Sequence, residues 1–182
     1  MYNIITFLEN TKDGIFFQKR KGEFIMKINN VKKNNGWYNG TVVMTEEVFI
    51  NDVAVIEGKD GLFFEMPHDR YQAGEEWKKA YHAVPTSAEA RAEIMAAVQE
   101  AVDNDKMRAV TFEKRPALKG FVSIKAKNVS IKVSYNPETG RVSTPYRKYE
   151  KDGETKYANY IGISKEQADA IAEAFKAEIA TA

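Results

Sequence analysis

Apolar and polar residues alternate along the segment that begins at Met26, and this pattern predicts β-strands. We expect strands over residues 26–32, 40–44, 48–57 and 62–66. An Asn-Gly pair follows the first of these strands and an Asp-Gly pair precedes the last, as is typical of tight turns. The stretch 67–85 is polar without a clear period, so we expect irregular structure there.

A helix is predicted after this irregular stretch. Thr86 and Glu89 have the spacing of a capping box, in which a hydroxyl and a carboxylate satisfy free amides at a helix start. Ile94, Val98 and Val102 then recur at helical spacing, which predicts an amphipathic helix over residues 88–103.

The C-terminal segment follows the same order of several strands and one helix. We expect strands over 120–126, 129–135, 141–150 and 155–163, with Asn-Pro-Glu-Thr-Gly and Asp-Gly loops between the later ones. Ser164 and Gln167 form a second capping box ahead of an apolar stripe. No repeat relation between the two halves is visible in the sequence itself.

These patterns predict an α+β protein with two small domains, each an antiparallel β-sheet followed by one amphipathic helix. The domains cover residues 26–105 and 106–182. Residues 1–25 are either an N-terminal extension, with strands at 4–8 and 15–18, or a mistranslated leader before a native start at Met26. The leader is the favoured interpretation.

Composition excludes several classes of protein. The chain has 182 residues, 43% of them hydrophobic, and no cysteine, which excludes disulfide scaffolds and thiolate metal sites. No apolar run approaches the roughly 18–20 residues of a membrane span. No secretory signal is visible. We therefore expect a soluble, cytoplasmic protein without membrane contact.

Charge is distributed unevenly along the chain, although the net charge is only +1. Residues 26–105 carry 8 basic and 14 acidic side chains, whereas residues 106–182 carry 15 basic and 9 acidic ones. Such asymmetry suggests two units, of which the basic one contacts a polyanion.

Basic and tyrosine side chains share the predicted C-terminal strands and form a candidate nucleic-acid surface. Cations neutralise phosphates and aromatic rings stack on unpaired bases, so this combination favours single-stranded DNA or RNA. Alternatively, lysines on exposed strands only keep the protein soluble and protect sheet edges. The candidate residues in this segment are Lys119, Lys125, Lys127, Lys132, Arg141, Tyr146, Arg147, Lys148, Tyr149, Lys156, Tyr157 and Tyr160.

Other chemistry-bearing residues give weaker patterns. His68 and His82 are too few for a metal site, which needs three or four converging ligands. Asp52, Glu57, Asp60 and Glu65 lack an accompanying nucleophile or phosphate loop. We therefore expect no catalytic residues, no metal, no cofactor and no enzymatic activity.

Trp37 and Tyr38, in a turn-flanked stretch, either stack on bases beside Lys32 and Lys33 or pack in the core or a dimer contact.

The segment Ile50–Pro67 resembles the core of the SpoVG family of septation regulators (stage V sporulation protein G). Val-Ile-Glu-Gly at 55–58, Gly-Leu-Phe at 61–63 and Met-Pro at 66–67 carry the resemblance, which covers about residues 26–103. The family resemblance implies a small sheet with one helix, homodimerisation, and regulatory DNA or RNA binding. Of the basic turn that follows Met-Pro in the family, only Arg70 carries over.

Residues 120–180 are similar to single-stranded-DNA-binding transcriptional coactivators with a whirly-like β4α module. The similarity rests on a basic hairpin and on Gly-Ile-Ser followed by Glu-Gln at 162–167. It implies a dimer that grips unpaired strands with its curved sheet.

Taken together, these patterns predict a non-enzymatic DNA- or RNA-binding regulator. The C-terminal domain would bind the nucleic acid while the SpoVG-like domain dimerises. The alternative is a dimeric protein-interaction adaptor in septation or another assembly, without nucleic-acid binding.

Overall fold

A computed structural model describes residues 7–11, 14–18 and 26–181 of the chain. The junction at 19–25, on which the leader interpretation depends, and residues 4–6 of the first predicted strand lie outside the described residues. The helices are α1 (Ala88–Asp103) and α2 (Lys165–Thr181). The strands are β1 (Phe7–Thr11), β2 (Gly14–Gln18), β3 (Met26–Asn34), β4 (Trp37–Met44), β5 (Val48–Gly58), β6 (Gly61–Glu65), β7 (His68–Ala73), β8 (Glu76–Tyr81), β9 (Ala83–Pro85), β10 (Arg108–Ala109), β11 (Leu118–Ala126), β12 (Val129–Asn136), β13 (Arg141–Ser143), β14 (Tyr146–Lys151), β15 (Glu154–Asn159) and β16 (Ile161–Gly162).

The described strands form two large antiparallel sheets and two separate hairpins. In the first sheet the strand order is β1-β2-β3-β4-β12-β13, with β9 also paired to β12. In the second sheet the order is β10-β11-β5-β16, with β6 also paired to β5. The hairpins β7–β8 and β14–β15 pair with neither sheet. The α+β class is therefore confirmed.

Both large sheets contain strands from both halves of the chain. β12 pairs with β4 along its length, and β11 pairs with β5. One buried cluster holds apolar side chains from both halves, for example Val42, Val53, Val122 and Ile131. The predicted boundary at residues 105 and 106 therefore coincides with no boundary between sheets or cores. The expected four-stranded C-terminal sheet does not form by itself, because β11 and β12 lie in different sheets.

The two halves repeat one arrangement of eight elements, although the sequence shows no repeat. The series β3 to β9 and α1 has the same order and pairings as the series β10 to β16 and α2. Thus β3–β4 matches β10–β11, β5–β6 matches β12–β13, and β9–β12 matches β16–β5. Backbone bonds repeat as well, since His82 N donates to Pro67 O and Tyr160 N donates to Pro145 O, at 2.9 and 2.8 Å. The chain is thus built from two equivalent units related by an approximate two-fold axis.

The stretch 67–85, for which irregular structure was expected, instead forms the β7–β8 hairpin and β9. The prediction failed because most side chains of this hairpin are exposed, which removes the alternation that marks a strand with one buried face. The predicted strands 141–150 and 155–163 are also each divided in two, at 144–145 and at Tyr160.

Both helices lie at the predicted places. α1 spans the predicted 88–103, but its cap is Ser87 rather than the predicted Thr86. Ser87 Oγ accepts a hydrogen bond from Ala90 N, whereas Thr86 Oγ1 donates to Asn128 O at 2.7 Å. Ser164 and Gln167 form the predicted capping box of α2. On the buried side of the first sheet, the Phe175 ring of α2 stacks on Tyr135 of β12 with 5.4 Å between centroids. Within the described residues, neither helix combines the length and the apolar character that crossing a membrane requires.

Candidate nucleic-acid interface

The outer face of the first sheet carries a polar surface beside the start of both hairpins. On β4 and β12 the buried residues alternate with Asn39, Thr41, Lys132 and Ser134, which point away from the core because strand side chains alternate between faces. Ser134 Oγ lies 2.6 Å from Asn39 Oδ1 across the strand pair.

Two adjoining cavities lie on this face, with volumes of about 980 and 550 Å³. We call them together the polar groove. They are contiguous because five residues line both, namely Asn39, Ser134, Ser143, Thr144 and Tyr146.

The polar groove is positively charged. Lys32, Lys132, Arg141 and Lys165 line it, and Asp69 is the single acidic residue among its described lining residues. None of these four cations forms an ion pair within the described part of the chain. Unpaired cations facing a concave surface attract anions, because the field of several like charges adds within a cleft.

Aromatic rings line the larger cavity at one end. Trp37, Tyr146 and Tyr157 take part, and Tyr146 and Tyr157 meet edge to face with 5.4 Å between centroids. Both tyrosines are more than half exposed, at 55% and 62%. Exposed aromatic faces next to cations are the combination that binds unpaired nucleotides.

His82 lies at the base of the smaller cavity, where its ring is packed. Its ring is 4% exposed and stacks on Tyr160, 4.8 Å between centroids. Burial lowers the pKa of His82, and the charge of Lys132 adds to this effect, while Asp69 opposes it. Asp69 Oδ1 is 3.4 Å from His82 Nε2, but the pair lacks hydrogen-bond geometry. His82 is therefore a neutral, packed residue.

His82 and Tyr160 occupy equivalent positions in the two units, so their stack lies across the approximate two-fold axis. Burial raises the pKa of Tyr160, as do the nearby carboxylates of Asp69 and Asp52. Tyr160, one of the predicted binding residues, is thus part of the support beneath the surface rather than an open stacking platform.

Five of the predicted basic residues are held by carboxylates. Lys119 pairs with Glu57, and Arg147 Nε lies 2.7 Å from Asp52 Oδ2, a close ion pair whose N–H direction does not suit a hydrogen bond. The other three pairs are longer, at 3.6 to 3.8 Å: Lys125 with Glu47, Lys127 with Glu93, and Lys156 with Glu154. Lys119 and Lys125 also lie on β11 in the second sheet, apart from Lys132 and Arg141.

The remaining predicted residues lie on the hairpins. Lys148 is exposed on β14, opposite Tyr157, and forms no ion pair among the described residues. Tyr149 packs beneath the Arg147 guanidinium, 5.2 Å from ring centroid to Cζ. Arg70 is exposed on β7 opposite Lys79, on the other hairpin. The structure therefore brings together Lys132, Arg141, Tyr146 and Tyr157, but not the whole predicted set.

Three residues of the polar groove were absent from the predicted binding set. Lys32 and Trp37 come from β3 and β4, and Lys165 from the start of α2. The sequence left open that Trp37 stacks on bases beside Lys32, and Trp37 does line the larger cavity. Tyr38, its neighbour, instead packs against the core. Nothing local in the sequence indicates that β3, β13 and α2 meet, because these contacts are distant along the chain.

Comparison with known proteins shows a family similarity for part of the chain. Residues 24–104 match the family model described as SpoVG, a segment somewhat shorter than half of the chain. Comparisons with curated proteins and with solved structures gave no match. The resemblance carried by Val-Ile-Glu-Gly, Gly-Leu-Phe and Met-Pro is thereby confirmed over this segment. Residues 24–104 of the chain are therefore similar to the SpoVG family.

Proposed function

We propose that this protein is a non-enzymatic, nucleic-acid-binding regulator that holds a single strand of DNA or RNA in the polar groove. The observation that carries the proposal is the placement of four unpaired cations beside three aromatic rings on one concave surface, with a single carboxylate among its described lining residues. Each cation can neutralise a phosphate, and the released counterions drive binding.

The aromatic rings favour an unpaired strand over a duplex. Tyr146 and Tyr157 are exposed, and Trp37 lies in the same cavity. Stacking of a base on an aromatic side chain contributes about 1–3 kcal/mol by truncation and requires that the base is not already stacked in a helix. Bases in a duplex satisfy that contact internally, so a duplex would use only the cations.

The similarity of residues 24–104 to SpoVG supports a regulatory rather than a catalytic role, in sporulation or septation. We propose a cytoplasmic location for this role. Homodimerisation, which the resemblance implies, remains a prediction. The structural repeat offers another way to form the contact that a homodimer would form between two units, since β4–β12 and β5–β11 join two equivalent units within one chain.

One observation favours the adaptor as a second candidate. The β7–β8 hairpin exposes Trp77 at 69%, Tyr71 at 48% and Tyr81 at 36%. Large exposed aromatic residues are enriched in protein–protein interfaces. An adaptor using this hairpin would show no salt-dependent affinity for nucleic acid.

Fluorescence anisotropy of labelled 12-nucleotide oligomers tests the proposal directly. At low ionic strength we expect the full-length protein to bind single-stranded oligomers more tightly than duplexes of the same length, with affinity that falls as salt is added. Absence of binding to all oligomers at low salt would contradict the proposed function and leave the adaptor.

A further inference from the structure

Ser143, which lines the larger cavity of the polar groove, has an equivalent residue in the N-terminal unit, and that residue is a carboxylate, Glu65. Because β6–β7 matches β13–β14, the sequence Glu65-Met66-Pro67-His68 corresponds to Ser143-Thr144-Pro145-Tyr146. The matching bonds that Pro67 O and Pro145 O accept fix this alignment. Ser143 therefore occupies the place that Glu65 occupies in the other unit.

Glu65 is the centre of a polar cluster in the N-terminal unit. Its carboxylate pairs with Lys79, accepts a hydrogen bond from Tyr81 Oη at 3.1 Å, and lies 3.9 Å from Arg115. The side chain is only 12% exposed. Although burial opposes ionisation, the hydrogen bond and charge of Lys79 hold the pKa of Glu65 below its ordinary value.

The C-terminal unit lacks this cluster and has an open cavity instead. The hairpin registers place Tyr157 where Lys79 stands, and Asn159 where Tyr81 stands. With Ser143 in place of the carboxylate, no acidic residue lines the cavity of about 980 Å³ among its described lining residues. Its two cations, Arg141 and Lys165, form no ion pair in the described part of the chain.

The cations of this cavity therefore lack the internal anion that the N-terminal unit provides. Two amides at the start of α2 already have partners, because Ser164 Oγ accepts a hydrogen bond from Gln167 N and Gln167 Oε1 accepts one from Ser164 N. An anion in the cavity would be held by the side chains of Arg141 and Lys165. Beside them, Trp37, Tyr146 and Tyr157 offer flat rings.

We propose that this cavity binds one nucleotide, with its base against Trp37 and the two tyrosines and its phosphate between Arg141 and Lys165. A volume of about 980 Å³ is large enough, since small-ligand pockets range over roughly 300–1,000 Å³. The inference rests on the proposed function where the nucleotide belongs to a bound strand. A free mononucleotide presents the same chemistry, and the experiment separates the two sources.

Trp37 provides the signal for the test. The chain has two tryptophans, so Trp77→Phe leaves Trp37 as the single tryptophan. We expect titration of this variant with adenosine monophosphate, and separately with a 12-nucleotide oligomer, to quench the emission of Trp37, because a stacked base quenches indole fluorescence.

Ser143→Glu, made in the Trp77→Phe background, restores the carboxylate of the other unit. We expect it to weaken nucleotide binding by about tenfold or more, because like charges brought together at a site oppose binding strongly. Ser143→Ala is the matched control without the added charge, and we expect it to lose clearly less affinity than Ser143→Glu does. Thermal unfolding checks that both variants fold.

The possible results are distinguishable. Quenching by both ligands that is lost in Ser143→Glu and kept in Ser143→Ala supports the proposal. Quenching by the mononucleotide without oligomer binding also supports the cavity, as a site for free nucleotides, while the proposed function fails. Oligomer binding by anisotropy with unchanged Trp37 emission overturns the cavity proposal and leaves the proposed function intact. Equal losses of nucleotide affinity in Ser143→Glu and Ser143→Ala also overturn the cavity proposal.

Discussion

Removal of two groove cations gives the sharpest test of where the strand binds. Lys132 and Arg141 line the polar groove without ion-pair partners among the described residues. The double variant Lys132→Gln, Arg141→Gln removes two positive charges from this surface. For a single strand, each neutralised phosphate contributes about 0.7 to the slope of log K against log salt, so we expect the slope to decrease in magnitude by about 1.4.

The chain also offers a control with the same change in net charge. Lys125 and Lys127 are predicted binding residues outside the groove and lie 3.6 and 3.8 Å from carboxylates of Glu47 and Glu93. Lys125→Gln, Lys127→Gln therefore removes cations that are already partly neutralised. Exposed ion pairs are weak, so some effect is expected, but we predict less than half of the change in slope seen for the groove pair.

The assay is anisotropy of a labelled 12-nucleotide strand at several salt concentrations, with the folding of each variant checked by thermal unfolding. Equal changes in slope for both double variants would mean that binding responds only to net charge, and would refute a localised groove. A larger change in slope for the control variant than for the groove variant would place the binding site on the second sheet.

Further predictions concern stability and assembly. Burial keeps the pKa of His82 low, so below about pH 6.5 the unfolded chain takes up a proton that the folded chain does not. The free energy of unfolding should therefore fall as the pH drops through this range. In urea unfolding, the His82→Phe variant should show a weaker dependence of this free energy on pH. Phe175→Ala should lower the free energy of unfolding by about 3–5 kcal/mol in the same assay, because Phe175 is fully buried against Tyr135. A monomeric fragment of residues 26–105 should lack a cooperative thermal transition by circular dichroism, because β4 and β5 lose β12 and β11 as partners. A cooperative transition of a fragment that light scattering shows to be monomeric would contradict the shared core. If the pairings between the two units of one chain replace a dimer contact, light scattering should give the mass of one 20.6 kDa chain, and a doubled mass would support the predicted homodimer.

Local features of the fold were predictable from the sequence, and distant ones were not. α1 matches its predicted range because both its cap and its apolar stripe are set by residues within one turn or two of each other. Most strands of the large sheets were predicted because one face of each is buried. The pairing of β4 with β12 has no local signal, so the sequence could not show that strands of both halves share two sheets.

The residues of the candidate site also divide into those that the local sequence predicts and those that only the fold brings together. Arg141, Tyr146 and Tyr157 were predictable, because composition alone marks the C-terminal segment as basic and aromatic. The ion pair of Lys119 was not predictable, since its partner Glu57 is far away along the chain and only the fold brings the two together. Lys165 was missed because nothing at the start of a helix indicates which cavity it borders.

The two halves carry net charges of opposite sign although they share one architecture, and the difference can be traced to equivalent positions. At equivalent positions, Glu65 corresponds to Ser143, and Asp69 corresponds to Arg147. Each of these differences makes the C-terminal unit more positive without altering the strand pairings. The polar groove nevertheless belongs to neither half, because its floor combines β4 with β12 and its cations include Lys32 as well as Arg141. Affinity for nucleic acid must therefore be assigned with variants of the whole chain, since separating the halves would destroy the surface under test.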